Sequence, residues 1–370
     1  MSRRKGISAE FADTPVRFAL ILTNLAGGGA EKAMLKMAAL LAGRGHQVEM
    51  VLLEDRREHA LPDGVELRAL AAPGGLSHGW IGKRVAAWRL RRLLNAGRNH
   101  ELIVSTLPFA DEIADLARLP HHWCRIANTL SAEIALLARG NPAKAERRRA
   151  RYATLYGRHP LIAVSRGVVE DLREKLGLAT RIVAIPNPFD VSAIRQRTTL
   201  PAPGLPARPY AIHVGRFAPQ KRHDLLLDAW ARLPQAPNLF LLTAPDPHLE
   251  QLIVDRGLSE RVHVAGFQAN PYPWMAGAQL LVLCSDHEGL PNVLLEAMAC
   301  GTPVVSTDCP SGPAEILRDF PECLVPCNDA AALADAIARN LAAPPDLSRM
   351  DFSTYLPERV AAAWEALAGA

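Results

Sequence analysis

Aromatic residues are scarce in this chain, 5% of 370 positions, which argues against a protein that lays single-stranded nucleic acid over stacking platforms. No nucleic-acid reader motif is present either. No apolar segment approaches the roughly 18 residues that a membrane span needs. Nothing after Met1 has the pattern of a secretory leader: Met1 to Pro15 is polar and basic, and the first apolar run, Phe18 to Leu22, reads as a strand. The expectation is a cytoplasmic protein. Six cysteines (Cys124, Cys284, Cys300, Cys309, Cys323, Cys327) lie mostly in apolar runs, with no Cys-x-x-Cys and no paired histidine spacing, so buried free thiols are expected and not a zinc site.

What is present is an ordinary globular composition, 49% apolar and 22% charged, in a chain long enough for two domains. The formal net charge of +4 hides an asymmetry: residues 1–190 carry 29 Lys and Arg against 19 Asp and Glu, and the remainder 13 against 19. The halves therefore differ in charge sign, and the reading assigns them different partners.

Arg17 to Thr23 is a buried-strand pattern that runs into Asn24-Leu25-Ala26-Gly27-Gly28-Gly29-Ala30-Glu31. A helix follows with Met34, Met37, Ala38 and Leu41 on one face, and Gln47 to Leu53 gives a second strand. The dinucleotide fingerprint would need glycine at position 32, where Lys32 stands. The turn is then either simply tight or open to close approach of a ligand by its backbone amides.

Gly79 to Arg98 predicts a helix in which Lys83, Arg84, Arg89, Arg91, Arg92 and Arg98 are interleaved with Trp80, Ile81, Val85, Trp88 and leucines. A second basic segment, Arg139 to Arg158, holds Lys144, Arg147, Arg148, Arg149 and Arg151. Solvated helix faces and attachment to an anionic membrane surface are equal readings of both. Leu102 to Thr106, Ile126 to Thr129, Leu161 to Ser165 and Arg181 to Ile185 read as strands, and His121 and His122 as loop residues. The Pro- and Ala-rich stretch from Asp190 to Pro209 marks a domain boundary.

The second half repeats the alternation, with strands expected at Tyr210 to Val214, Asn238 to Thr243, Arg261 to Ala265, Gln279 to Cys284, Pro303 to Ser306 and Glu322 to Val325. Both halves predict an α/β class of doubly wound parallel sheets, whose ligands sit outside the carboxyl ends of the strands. Arg216, Lys221, Glu288 and Asn292 all fall at such ends. After Cys284 the chain turns through Gly289 and Pro291 into a helix whose start Asn292 marks, with Glu288 before it and Glu296 about one turn inside. A helix N-terminus accepts anions, and the flanking carboxylates accept hydroxyl hydrogen bonds. Phosphate plus sugar fits that pair of features. Arg216 and Lys221, on one strand-to-helix turn, supply a guanidinium and an ammonium for the charge of a diphosphate leaving group.

Gly215-Arg216 with Lys221, and Glu288-Gly289-Leu290-Pro291 with Glu296, resemble the retaining glycosyltransferases of family 4, which have the GT-B fold. The likeness extends from Gly27-Gly28-Gly29-Ala30-Glu31 through Ala163-Val164-Ser165 and Pro186-Asn187-Pro188 to Ser311-Gly312-Pro313-Ala314-Glu315. It implies two Rossmann-like domains facing across a cleft: residues 1–190 for the acceptor, with 1–15 flexible, 191–354 for the nucleotide sugar, and a helix at 355–370 crossing back to the first domain. It further implies that Arg216 and Lys221 hold the donor diphosphate, Glu296 the ribose hydroxyls and Glu288 the transferred sugar, while Gly289, Leu290, Pro291 and Asn292 line the donor. Gly28 and Gly29 then approach the ligand from the first domain. Gly266 to Tyr272 is similar to members that use uridine diphosphate sugars, with the backbone near Phe267 and Gln268 reading the base; a packed strand end and a proline turn is the alternative.

The resemblance also implies an acceptor on a lipid-linked glycan or polysaccharide precursor, and a peripheral position on the inner face of the cytoplasmic membrane. Lys83, Arg84, Arg91, Arg147, Arg148 and Arg149 are the expected acceptor and membrane contacts. The histidine that many relatives place at the sugar corresponds here to Asn128 or Thr129. No Asp-x-Asp pair is present, which fits a reaction without a metal or other cofactor. A sugar-nucleotide epimerase of the same architecture and a non-catalytic nucleotide-binding module are the competing functions.

Overall fold

The computed structural model describes residues 15–95, 99–207 and 209–369. The segment expected to be flexible lies, up to Thr14, outside the described residues, as does Arg98 of the first basic segment.

The first sheet holds β1 (Arg17–Leu22), β2 (Gln47–Glu54), β3 (Val65–Ala71), β4 (Leu102–Thr106), β5 (His122–Ile126), β6 (Leu161–Ala163) and β7 (Ile182–Ala184). Their order is β3-β2-β1-β4-β5-β6-β7. The second holds β8 (Tyr210–Val214), β9 (Asn238–Leu242), β10 (Val262–Val264), β11 (Leu280–Leu283), β12 (Val304–Thr307) and β13 (Leu324–Val325), in the order β10-β9-β8-β11-β12-β13. Every neighbouring pair in the second sheet is parallel. The central strands β1, β4, β8 and β11 are almost wholly buried, as continuous apolar runs are when helices cover both faces of a parallel sheet. The expected doubly wound class is what forms. In each sheet the order reverses beside the first strand, between β1 and β4 and between β8 and β11, and that reversal opens a crevice at the carboxyl ends.

The chain divides into two compact units, residues 1–125 with 361–370, and residues 126–360. The core of the first packs Ala19, Ile21, Val51 and Ile103 of the sheet against Ala86, Leu90 and Ile113 of its helices. In the second, Trp230, Leu226 and Ile337 close over Ala211, Leu241 and Val282. The last helix, Pro357–Ala368, buries Val360, Ala361, Trp364 and Leu367. Its Glu365 accepts two hydrogen bonds from Arg44, at 2.6 and 3.0 Å, and lies 2.8 Å from His46 Nε2. The Arg44 guanidinium, with help from His46, holds the Glu365 carboxyl below the usual range.

Three expectations need correction. The half-exposed strand β3 was not anticipated, because its sequence Val-Glu-Leu-Arg-Ala-Leu-Ala has no long apolar run. The strand expected at Ile126 to Thr129 lies earlier, at His122–Ile126, so His122 is a buried strand residue and not a loop residue. The polar side chains that disguised it are absorbed in a buried network: Ser105 Oγ donates to Asp111 Oδ1 at 2.5 Å and sits 2.8 Å from His122 Nε2, and Arg125 donates to Thr106 Oγ1 at 3.4 Å. Finally, Asn292 is the first residue of the helix Asn292–Ala299 and makes no capping bond. Its Oδ1 instead accepts from Asn187 Nδ2 at 3.0 Å.

Candidate active site

Strand β8 ends at Val214, and Gly215 and Arg216 lead into a 3-10 turn, Pro219–Lys221. Arg222 then takes a left-handed conformation (φ 49°) that reverses the chain into the helix His223–Ala231. Strand β11 ends at Leu283 and runs through Ser285, Asp286 and His287 to Glu288. Because β8 and β11 are neighbours, these two segments meet at the switch point of the sheet. Lys221 Nζ donates to Glu288 Oε1 at 2.6 Å, and Ser285 Oγ donates to the same oxygen at 2.6 Å. Ser285 is itself fixed, its carbonyl accepting from Thr307 Oγ1 at 2.7 Å. Two residues that the sequence groups at the carboxyl ends of strands are thus one ion pair. Arg216 is exposed and has no ion-pair partner among the described residues.

The turn after Glu288 is locked by backbone contacts. A Cβ on Gly289 would lie 2.2 Å from the carbonyl oxygen of Ala127, and one on Gly312 would lie 2.3 Å from Pro291 Cδ. Ser165 Oγ donates to the Gly289 carbonyl at 2.7 Å, and Thr129 Oγ1 donates to the Glu288 carbonyl at 2.5 Å. The threonine considered as the replacement for a histidine therefore ties the turn in place. Leu290 and Pro291 are buried and deliver the chain into the helix Asn292–Ala299. Glu296, half-buried on that helix, accepts from Tyr272 Oη at 3.3 Å. Burial and the nearby Glu296 both raise the Tyr272 hydroxyl, which keeps it a donor.

Beneath Gly215 lie two histidines that sequence reasoning passed over. His213 Nδ1 donates to the Val282 carbonyl at 2.8 Å, and its ring meets that of His223 edge-on at 4.6 Å. Burial drives both toward the neutral form: His213 falls well below its ordinary value, and His223 falls to about 4 with the Lys221 charge adding to the effect. The signal for them is visible only in hindsight, as histidines inside or beside apolar runs. Burial also pushes the Cys284 thiol up to about 12 as its Sγ donates to the Lys221 carbonyl at 3.1 Å. All six cysteines are free; Cys300 and Cys327 are half-buried and the other four buried.

The arrangement is a switch-point crevice with cations after β8, a carboxylate after β11 and a helix N-terminus between carboxylates. Residues 28–188 match the family model described as a glycosyl transferase 4-like domain, and residues 208–343 match that described as glycosyl transferases group 1. The chain is a glycosyltransferase of the GT-B, family 4 type. Over 313 residues this glycosyltransferase is 27% identical to the N-acetylgalactosamine-N,N'-diacetylbacillosaminyl-diphospho-undecaprenol 4-alpha-N-acetylgalactosaminyltransferase of Campylobacter jejuni, covering 82% of this chain and 84% of that one. It is 40% identical to the lipopolysaccharide core biosynthesis glycosyltransferase LpsE of Rhizobium meliloti, over 36% of this chain and 40% of that one. Among solved structures, HepE of Anabaena in complex with UDP-glucose superposes with a TM-score of 0.71 at 20% identity, covering 95% of this chain and all (100%) of that one.

Elsewhere in the glycosyltransferase, Gly28 precedes and Gly29 begins the helix Gly29–Gly43, and Gly27 has φ 105°, a conformation side chains resist. Phe267 is 67% exposed, whereas Gln268 Nε2 donates to the Ala265 carbonyl at 2.8 Å. Gln268 lines a cavity of about 410 Å³ with Phe240, His263 and Trp274. Of the expected acceptor and membrane cations, Lys83 is paired with Glu112 at 2.8 Å, Arg148 with Glu133, and Arg149 donates to the Lys175 carbonyl at 3.1 Å. Arg84, Arg91 and Arg147 are exposed. No group of three or more His, Cys, Asp or Glu side chains among the described residues is placed to hold a metal ion, and no described helix is long and apolar enough to cross a membrane.

Proposed function

We propose that this glycosyltransferase moves a hexose or N-acetylhexosamine, with retention of configuration and without a metal ion, from a uridine diphosphate donor to a lipid-linked glycan or polysaccharide precursor. The observation that carries the reading is the 2.6 Å Lys221–Glu288 pair at the switch point of the second sheet, beside the N-terminus of the helix that bears Glu296. A cation held there by a carboxylate is preorganised for a diphosphate. Lys221 and the exposed Arg216 take the leaving diphosphate, Glu296 the ribose hydroxyls and Glu288 the sugar; the backbone near Phe267 and Gln268 reads the base. The bond from the anomeric carbon to the β-phosphate oxygen breaks while the acceptor hydroxyl adds on the same face, and its proton passes to the departing phosphate oxygen. No protein base is then required. Two likenesses support the donor and acceptor classes: the Anabaena neighbour is described in complex with UDP-glucose, and the Campylobacter relative is named for a diphospho-undecaprenol acceptor.

In this reading residues 1–190 take the acceptor at the inner face of the cytoplasmic membrane, 191–354 take the nucleotide sugar, and the helix from 355 returns to the first domain. The true donor should raise the melting temperature in a panel of nucleotide sugars by mass action. Glu296→Ala should lower kcat/KM for that donor roughly tenfold to a hundredfold, the worth of a charged hydrogen bond. An unchanged kcat/KM overturns the ribose role. Epimerised sugar nucleotide formed from donor alone overturns the transferase reading.

A further inference from the structure

We infer that Arg222 is a positioning residue for sugar transfer: its guanidinium ties together the segments that leave three strands of the second sheet, and so fixes Lys221 against the donor diphosphate. The inference deepens the proposed function and rests on the role of Lys221 in that reading. Arg222 directly follows Lys221 and lies at φ 49° and ψ 49°. A left-handed turn of this kind suits glycine, which has no Cβ to clash. The position carries a long cation all the same, so the reason for it lies in what its side chain touches. In the helix His223–Ala231, Asp224 accepts from Arg222 Nε at 3.0 and 3.2 Å and from Nη2 at 3.0 Å. After β11, Asp286 Oδ1 accepts from Nη1 at 2.8 Å. After β13, Asn328 Oδ1 accepts from the same nitrogen, and Asn328 is itself left-handed at φ 61°. A guanidinium offers five N–H donors in one rigid plane, which lets a single side chain serve all three acceptors.

These contacts set Arg222 apart from the other two cations of the turn. Arg216 is exposed, and Lys221 is bonded to Glu288 at the switch point, where the diphosphate is received. Arg222 is already neutralised by two carboxylates, and its side chain is 18% exposed, so it is not a third ligand of the donor. Its effect passes through the backbone. Asp286 lies two residues before Glu288, and its N–H donates to the Gln220 carbonyl at 2.8 Å, while Cys284 Sγ donates to the Lys221 and Arg222 carbonyls at 3.1 and 3.3 Å. The Arg222–Asp286 bond adds a charged tie between the same two segments. A lysine is a point charge on a flexible four-carbon stem, and its aim depends on where its Cα is held. Fixing the turn to the Asp286 segment holds the 2.6 Å Lys221–Glu288 pair in register before a donor arrives.

The test is calorimetric binding of UDP and of uridine to the full chain and its variants, with a melting temperature to certify each fold. Arg222→Gly keeps a residue that accepts the left-handed turn and removes the fork. It should weaken UDP roughly tenfold and leave uridine, which has no diphosphate, unchanged. Arg222→Lys, which keeps the charge and loses the fork, should share most of the loss. In a Lys221→Met background Arg222→Gly should add less than about twofold, because residues that act as one unit are not additive. Native UDP binding by Arg222→Gly, full recovery by Arg222→Lys, equal weakening of UDP and uridine, or the whole loss persisting in the Lys221→Met background each overturns the inference. Native UDP binding by Lys221→Met overturns the donor reading instead, and this inference with it. Absence of UDP binding by the native chain overturns the uridine diphosphate assignment alone, and the same series with inorganic pyrophosphate then decides the role of Arg222.

Discussion

Two glycine-bearing turns follow central strands of the two sheets, one after β1 and one after β11, and their surroundings are opposite. A Cβ on Gly29 would meet nothing within 4 Å, and one on Gly28 would meet only the flexible end of Glu31, at 2.5 Å. After β11, by contrast, a Cβ on Gly289 would strike the Ala127 carbonyl at 2.2 Å, and Gly312 and Gly167 are hemmed in by the backbones of Gly289 and Ser311. The second turn needs glycine because its own protein fills the space. Packing gives no such reason at Gly29, where a Cβ would meet open space. A glycine in a sequence carries no label for these two cases; the neighbouring atoms do.

The crowded side offers the largest effect. Its buried histidines lie next to Gly215, whose Cβ would fall 3.3 Å from His213 Nε2. His223 titrates near 4 when folded, against an ordinary 6.5, so the unfolded chain gains a proton that the folded one refuses as pH falls between those values. Stability should therefore drop by ~3 kcal/mol across that window through His223, with His213 adding in the same direction. Denaturant unfolding at pH 7 and near pH 4 would measure it. His223→Leu should flatten the slope, and an identical slope in the variant would show that this region is not sealed. Next in size, Gly289→Ala should cost about 1–3 kcal/mol in the same assay, the ordinary cost of forcing a methyl into a packed site. A native midpoint would mean that the 127–129 segment yields easily, and the contrast between the turns would collapse. Smallest in stability is Gly29→Ala, expected within about 0.5 kcal/mol of the native chain, while transfer falls about tenfold if a ligand occupies that space. Loss of stability without loss of turnover would make the two turns alike.

Much of the fold was legible. The strands at Leu102–Thr106 and Tyr210–Val214 form where their apolar runs lie, because a strand covered on both faces has no room for polar interruptions. Strand β5 was misplaced for the converse reason: His122 and Arg125 are polar by composition and buried by virtue of partners on other strands. That Lys221 and Glu288 belong to one site was legible from their places at the carboxyl ends of strands, whereas their direct ion pair follows from the adjacency of β8 and β11 in the sheet. Asn292 misled as a cap because its side chain answers to Asn187, 105 positions away. The basic segments divided in the same manner, into cations already neutralised, such as Lys83 and Arg148, and cations facing outward, such as Arg84 and Arg91.

The hydrogen bonds from Arg44 to Glu365 set an order of events during synthesis. Residues 126–360 form a continuous compact unit, whereas the other unit joins residues 1–125 to 361–370. At a synthesis rate of about 5–20 residues per second, the early segment waits on the order of 10–50 s before its last piece is made. Trp364 and Leu367, buried in the finished protein, are made only after that continuous unit. The first part of this enzyme to be translated is thus the last to be completed. Removing residues 361–370 would take a segment from the amino-terminal unit and none from the continuous one.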